Sequence, residues 1–146
     1  LEHDDVPMGT LKKRIEHAAD IQDPNVVKVV TDHYGNAVYF SRSPIPFARG
    51  GAAERVEYYK HIGLYVYRRD FLLGYSDLPV GPLEQSERLE QLRALENGYK
   101  IRVMETEYDS LGVDTPEDWE RVSVLYERTA VIHAMGQAPV QAMDKK

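Results

Sequence analysis

The chain contains no cysteine, so neither a disulfide framework nor a thiolate metal site can form, and nothing in it requires an oxidising compartment. No apolar run approaches the roughly 20 residues needed to cross a bilayer. Lys/Arg-rich runs are also missing: 18 basic residues stand against 24 acidic ones, a formal charge of -6. That balance lacks the electrostatic footprint of a protein that binds a nucleic-acid backbone or an anionic membrane. The opening Leu1-Glu2-His3-Asp4-Asp5 is acidic where a secretory signal would be basic, and it has no initiator Met. The expectation is a piece of a longer, cytoplasmic chain. What is present is 146 residues with 42% apolar and 10% aromatic side chains, enough to bury the core of one folded unit whose partners are small molecules or proteins.

The β-branched run Val26–Val30, the turn chemistry of Tyr34-Gly35-Asn36 and the resumed run Ala37–Phe40 predict an antiparallel hairpin. Pro44 and Pro46 remove two backbone donors and hold the exit from its second strand stiff, which puts Arg42 at a rigid strand end. Phe47 to Glu57, with Gly50-Gly51, has neither helical nor strand period and reads as a mobile loop able to act as a lid. Lys60–Tyr67 alternates strictly; Ile62, Leu64 and Val66 form the expected core face, leaving His61, Gly63, Tyr65 and Tyr67 for chemistry. Pro82–Asn97 reads as one helix with a Leu89, Leu92, Leu95 stripe, stopped by Gly98. A strand at Ile101–Thr106 follows, and then a second helix with Thr115 as N-cap, Pro116 at its first position, and Trp119, Val122 and Tyr126 on its buried side. Residues 1–133 are expected to form one unit and 134–146 a frayed tail. The fold class is α/β, a mixed sheet with a projecting antiparallel hairpin.

Several residues suit ligand chemistry, each with a plainer alternative. A guanidinium at Arg42 could grip a carboxylate or phosphate with two donors, or simply be an exposed strand-end arginine; Arg49 in the glycine-rich loop is weaker. His61 and Tyr65 share a strand face on either side of Gly63, which leaves a notch for a polar ligand, yet a partly buried structural histidine fits as well. Glu90 and Gln91 offer an acceptor and an amide that can read sugar hydroxyls, although the helical phase puts Glu90 opposite the leucine stripe. Asp114, on a short loop before a helix N-terminus, is either a hard oxygen ligand for Mg²⁺ or a helix cap.

The segments that contain these residues, taken in order, resemble one family. Asn25-Val26-Val27-Lys28-Val29-Val30, Tyr39-Phe40-Ser41-Arg42-Ser43-Pro44-Ile45-Pro46, His61-Ile62-Gly63-Leu64-Tyr65, Pro82-Leu83-Glu84-Gln85, Leu89-Glu90-Gln91-Leu92-Arg93 and Gly112-Val113-Asp114-Thr115-Pro116-Glu117-Asp118 are similar to the C-terminal half of bacterial CMP-Kdo synthetases, from about Val6 to Val122. The resemblance implies a GT-A-like, Rossmann-like nucleotidyltransferase fold, a homodimer, and Mg²⁺-dependent attack of the Kdo (3-deoxy-manno-octulosonate) anomeric hydroxyl on the α-phosphate of CTP, for lipopolysaccharide biosynthesis. It also implies that Arg42 holds the sugar acid, that His61, Tyr65, Glu90 and Gln91 line the Kdo pocket, and that Asp114 is the catalytic metal ligand. The N-terminal phosphate-binding loop and the Gly-Asp-Glu-Pro segment of that family are not found in the sequence, so nucleotide binding cannot be placed on this chain; the expectation is an N-terminal half that is either missing or on another polypeptide, and a chain that is inactive alone. Alternatives are a sister cytidylyltransferase for another acidic sugar such as a sialic acid, or a non-catalytic sugar-acid-binding or dimerisation module.

Asp114 yields a test of its two readings. Thr115 supplies the cap hydroxyl and Asp118 the third-position acid, so a further acceptor at Asp114 is not needed by the helix. In the complete enzyme, Asp114→Asn should lower turnover by several orders of magnitude while changing stability by less than about 1 kcal/mol. Melting temperature and turnover on one preparation decide it: a less stable but fully active variant makes Asp114 a cap.

Overall fold

The computed structural model describes residues 6–49 and 56–108, together with 116, 119, 120, 122–124 and 126. Two compact units divide the chain, Leu1–Asp109 and Ser110–Lys146. The first contains β1 (Met8–Arg14), α1 (Ala18–Gln22), β2 (Lys28–Thr31), β3 (Ala37–Ser41), β4 (Tyr59–Tyr67), α2 (Arg69–Gly74), a 3-10 turn at Tyr75–Asp77, α3 (Pro82–Glu87), α4 (Gln91–Glu96) and β5 (Ile101–Glu105). Its strands form one mixed sheet in the order β3-β2-β4-β1-β5, with β1 antiparallel to β4 and parallel to β5.

The expected hairpin is β2 and β3, paired Lys28↔Ser41 through Thr31↔Ala37. Its turn is built by Asp32, whose carboxylate accepts from the backbone N–H of Tyr34 and of Asn36 (both 2.8 Å) and from the Asn36 amide (3.1 Å), while Gly35 takes the positive φ of 76°. The turn returns to β5, where Val103 N–H donates to Gly35 O at 2.8 Å and Asn36 bridges Arg102.

β1 was not evident from the sequence, although it lies between β4 and β5 and pairs with both. Its second half, Leu11-Lys12-Lys13-Arg14, is basic and hides the alternation. Lys12 is accommodated there by packing its ammonium over the Tyr59 ring and donating to Thr31 Oγ1.

The single helix expected over Pro82–Asn97 is two short ones. Arg88 adopts the left-handed conformation (φ 55°, ψ 47°) and ends α3, its N–H donating to Glu84 O at 2.8 Å. Leu89 and Leu92, beyond the break, both reach the core, where they join Met8, Val29, Phe40, Ala94, Ile101 and Val103. Across the break, Arg93 closes a two-point ion pair on Glu84 (2.6 and 2.8 Å), and that contact holds the Glu84 carboxyl below the usual range.

The expected core face of β4 is also corrected. Ile62 is buried, but Leu64 and Val66 are each 60% exposed, and Tyr65 and Tyr67 pack against the core instead. Strict alternation separates two faces without saying which one helices cover, and α2 through α4 cover the tyrosine side. In the second unit, Trp119 and Tyr126, expected to be buried, are 64% and 75% exposed. A helical apolar stripe marks a face that can be covered; it does not supply the cover. The loop expected over Phe47 to Glu57 lies partly outside the described residues, as do Thr115 and the 134–146 tail.

Glu96 reaches back to cap α3, accepting from Leu83 N–H (2.8 Å) and Glu84 N–H (3.0 Å), and a Cβ on Gly81 would meet that carboxylate. Gly81→Ala should therefore displace the cap and cost about 1–2 kcal/mol. Urea unfolding checks this, and an unchanged midpoint would show that Glu96 caps α3 equally well from another rotamer.

Candidate functional site

β4 contributes the centre of the site. Thr10 pairs with Tyr65 whereas Leu11 pairs with Ile62, so Gly63 and Leu64 are extra residues that bulge β4 between His61 and Tyr65. The Thr10 hydroxyl occupies this irregularity, lying 3.1 Å from Ile62 O, 2.8 Å from Leu64 O and 2.9 Å from His61 Nε2. The His61 ring is held edge-on to Phe40 (5.0 Å between centroids) and tilted against Tyr65 (5.4 Å). Rings continue from there through Tyr67 to Phe71 of α2 and Tyr75 of the 3-10 turn.

Burial sets the electrostatics. It pushes the His61 imidazole down to about 4, so the ring is neutral near pH 7. It raises the phenols of Tyr65 and Tyr67, and that of Tyr75 to about 12, with the Glu90 carboxylate adding to each shift. Glu90 is exposed at the start of α4, and its carbonyl accepts the Tyr75 hydroxyl at 2.7 Å. Its exposure agrees with the helical phase that sets it opposite the leucine stripe. Gln91, next in the chain, is buried.

Arg42 sits where β3 ends. Its Nε donates to Glu87 O (2.8 Å) and Nη1 to Pro24 O (2.9 Å), and its backbone N–H donates to the Glu87 carboxylate at 2.9 Å. With two of a guanidinium's five N–H groups engaged by backbone carbonyls, the plane is fixed, and the others have no partner among the described residues. Arg49 is exposed, and Asp114 lies outside the described residues.

His61 and Tyr65 are thus in ring contact and Glu90 lies near enough to raise the Tyr65 phenol, with Gln91 next to Glu90 in the chain and Arg42 two residues beyond Phe40, whose ring meets His61. Thr10, Tyr67, Tyr75 and Glu87 belong to the same assembly. Tyr67 alone among these lay on the strand face read for chemistry; nothing local in the sequence marks Thr10 or Glu87, because what selects them is pairing across the sheet. Among the described residues, no group of three or more His, Asp or Glu side chains is arranged to hold a metal ion, and no helix is long and apolar enough to cross a membrane.

The cytidylyltransferase family profile matches residues 1–101, more than two thirds of the chain. The chain belongs to the cytidylyltransferase family. Relatives include the 3-deoxy-manno-octulosonate cytidylyltransferases of Solibacter usitatus (strain Ellin6076), 71% identical over 132 residues, and of Geobacter sulfurreducens (strain ATCC 51573 / DSM 12127 / PCA), 57% identical over 126 residues. These alignments cover 90% and 80% of this chain but 52% and 50% of the relatives. A solved structure of CMP:2-keto-3-deoxy-manno-octonic acid synthetase complexed with CTP superposes with a TM-score of 0.78 at 46% identity, over 85% of this chain and 50% of that one. This cytidylyltransferase chain therefore spans about half the length of the relatives it matches, and its fold is that of a Rossmann-like nucleotidyltransferase, as the resemblance implied.

The neutral His61 has a consequence for stability. An unfolded imidazole titrates near 6.5, so between that pH and about 4 the unfolded chain binds a proton that the folded one refuses. The contribution is fully present above 6.5 and is lost as pH falls through this window, up to about 3 kcal/mol. Stability should fall by about 2 kcal/mol less in His61→Gln than in the parent between pH 7 and 4.5. Equal losses in urea titrations of the two would place the imidazole in water.

Proposed function

We propose that this chain is the sugar-acid-binding half of a 3-deoxy-manno-octulosonate cytidylyltransferase, which joins CTP to Kdo with loss of pyrophosphate. The observation that carries the reading is the convergence of a neutral, partly buried His61 with Tyr65 and Glu90, beside an Arg42 whose guanidinium is already oriented, in a chain of this family. Phenol, imidazole and carboxylate are the groups that read the hydroxyls of a sugar, and an oriented guanidinium suits a single carboxylate. Positioning the sugar acid is what such a half would contribute to catalysis.

The nucleotide belongs to the other half in this proposal. Mg²⁺ belongs with it: among the described residues no three His, Asp or Glu side chains are grouped to hold a metal ion, and Asp114 would be joined by substrate phosphates, water and a carboxylate from beyond this chain. When bound, the ion would neutralise phosphate charge; the sugar contacts made by Arg42, His61, Tyr65, Glu90 and Gln91 do not depend on it. A cytoplasmic homodimer and a place in lipopolysaccharide biosynthesis accompany the reading.

In the complete enzyme, Arg42→Lys keeps the charge and loses the planar fork, together with the paired contacts to Glu87 O and Pro24 O. Kdo binding should weaken by ~1 to 3 kcal/mol with CTP binding almost unchanged. Titration calorimetry reads both, and an unaltered Kdo affinity would remove Arg42 from the sugar site.

A further inference from the structure

The contacts of the Thr10 hydroxyl determine more than the shape of β4. A hydroxyl has one proton and two lone pairs. Thr10 Oγ1 lies 2.8 Å from Leu64 O and 3.1 Å from Ile62 O, two atoms that can only accept, and 2.9 Å from His61 Nε2. If Nε2 were the unprotonated nitrogen, three acceptors would face a single proton, and at least two close contacts would set lone pair against lone pair. If Nε2 carries the proton, it donates to Oγ1, and the Thr10 proton goes to the bulge carbonyls. Only the second arrangement pairs the groups.

We infer that Thr10 is a positioning residue that fixes His61 as the Nε2–H tautomer and so presents Nδ1 as a hydrogen-bond acceptor to the ligand. Burial keeps the ring neutral, so Nδ1 carries no proton of its own. That nitrogen has no hydrogen-bond partner among the described residues, and the residue is half-buried. Phe40 and Tyr65 hold the ring from two directions.

The assignment limits what His61 can recognise. An acceptor nitrogen attracts an O–H or N–H donor and is repelled by the oxygens of a carboxylate or phosphate. Resting on the sugar-acid reading above, His61 takes a hydroxyl of the sugar, and the carboxylate is left to the cation at Arg42. The two residues divide the ligand by polarity, one reading a donor and the other an anion.

The tautomer is directly observable in the 146-residue chain without any ligand. In a long-range ¹H–¹⁵N spectrum of histidine-labelled protein near pH 7, with the signal assigned by its loss in His61→Gln, His61 should show a pyrrole-type ε2 and a pyridine-type δ1 nitrogen. Thr10→Ser should preserve that pattern and Thr10→Val should give a mixture of tautomers. In the complete enzyme, Thr10→Val should raise the KM for Kdo about tenfold with the KM for CTP unchanged, and Thr10→Ser should restore it. A protonated δ1 nitrogen in the parent chain overturns the inference even if Thr10→Val fails to fold, and so does a Thr10→Val spectrum identical to the parent's. Tautomers that mix in Thr10→Val while the Kdo KM stays constant would uphold the link between Thr10 and His61 and reject the sugar-pocket reading.

Discussion

Glu87 joins two stretches of chain 45 residues apart, and most of the site follows from that contact. Its carboxylate accepts from the Ser41 hydroxyl at 2.6 Å and from the Arg42 backbone N–H at 2.9 Å, while its carbonyl accepts from Arg42 Nε at 2.8 Å. Both the acidic side chain and the peptide group of one residue therefore grip the end of β3. For Glu87 to face that strand, α3 must stop there, and Arg88 stops it. The next residues then deliver Leu89 and Leu92 to the core and bring Glu90 to the tyrosines of β4 and the 3-10 turn.

The resulting surface combines few formal charges with many polar tips on apolar bodies. Phenols kept protonated by burial and an imidazole kept neutral by it can form directed hydrogen bonds without the desolvation cost of ions. Its charged members are Arg42, Glu87 and Glu90, and Glu87 is taken up by Ser41 and Arg42. Such a lining suits a ligand rich in hydroxyls that carries one anionic group.

Much of this was legible in the chain. The hairpin was readable because Tyr34-Gly35-Asn36 is a turn by local chemistry alone, and the leucine stripe because its members meet the same core whether or not the helix is continuous. His61, Tyr65, Glu90 and Gln91 are named by resemblance, Glu90 against a helical phase that calls it a surface charge. What could not be read depends on neighbours far along the chain. β1 looks like a basic surface segment until Tyr59 and Thr31 are set beside Lys12. Leu64 and Val66 have the alternation of a core face, and only the docking of α2 through α4 on the opposite side reveals that they stay exposed. Arg88 gave no sign of a break, since arginine is a good helix former and the left-handed turn there is imposed by tertiary contacts on either side.

The left-handed Arg88 also bears on which sequences this segment tolerates. An ordinary residue held in that conformation costs about 1–2 kcal/mol, which glycine would avoid. Glycine would at the same time loosen the unfolded chain, a loss of about 0.4–1 kcal/mol. The two terms oppose each other and the first is about twice the second, so the backbone leans toward glycine over arginine there and is hostile to valine, isoleucine or threonine, whose branching makes a positive φ a true outlier. Drift at this position is thus confined to unbranched residues, and a preference for arginine over glycine must come from the side chain.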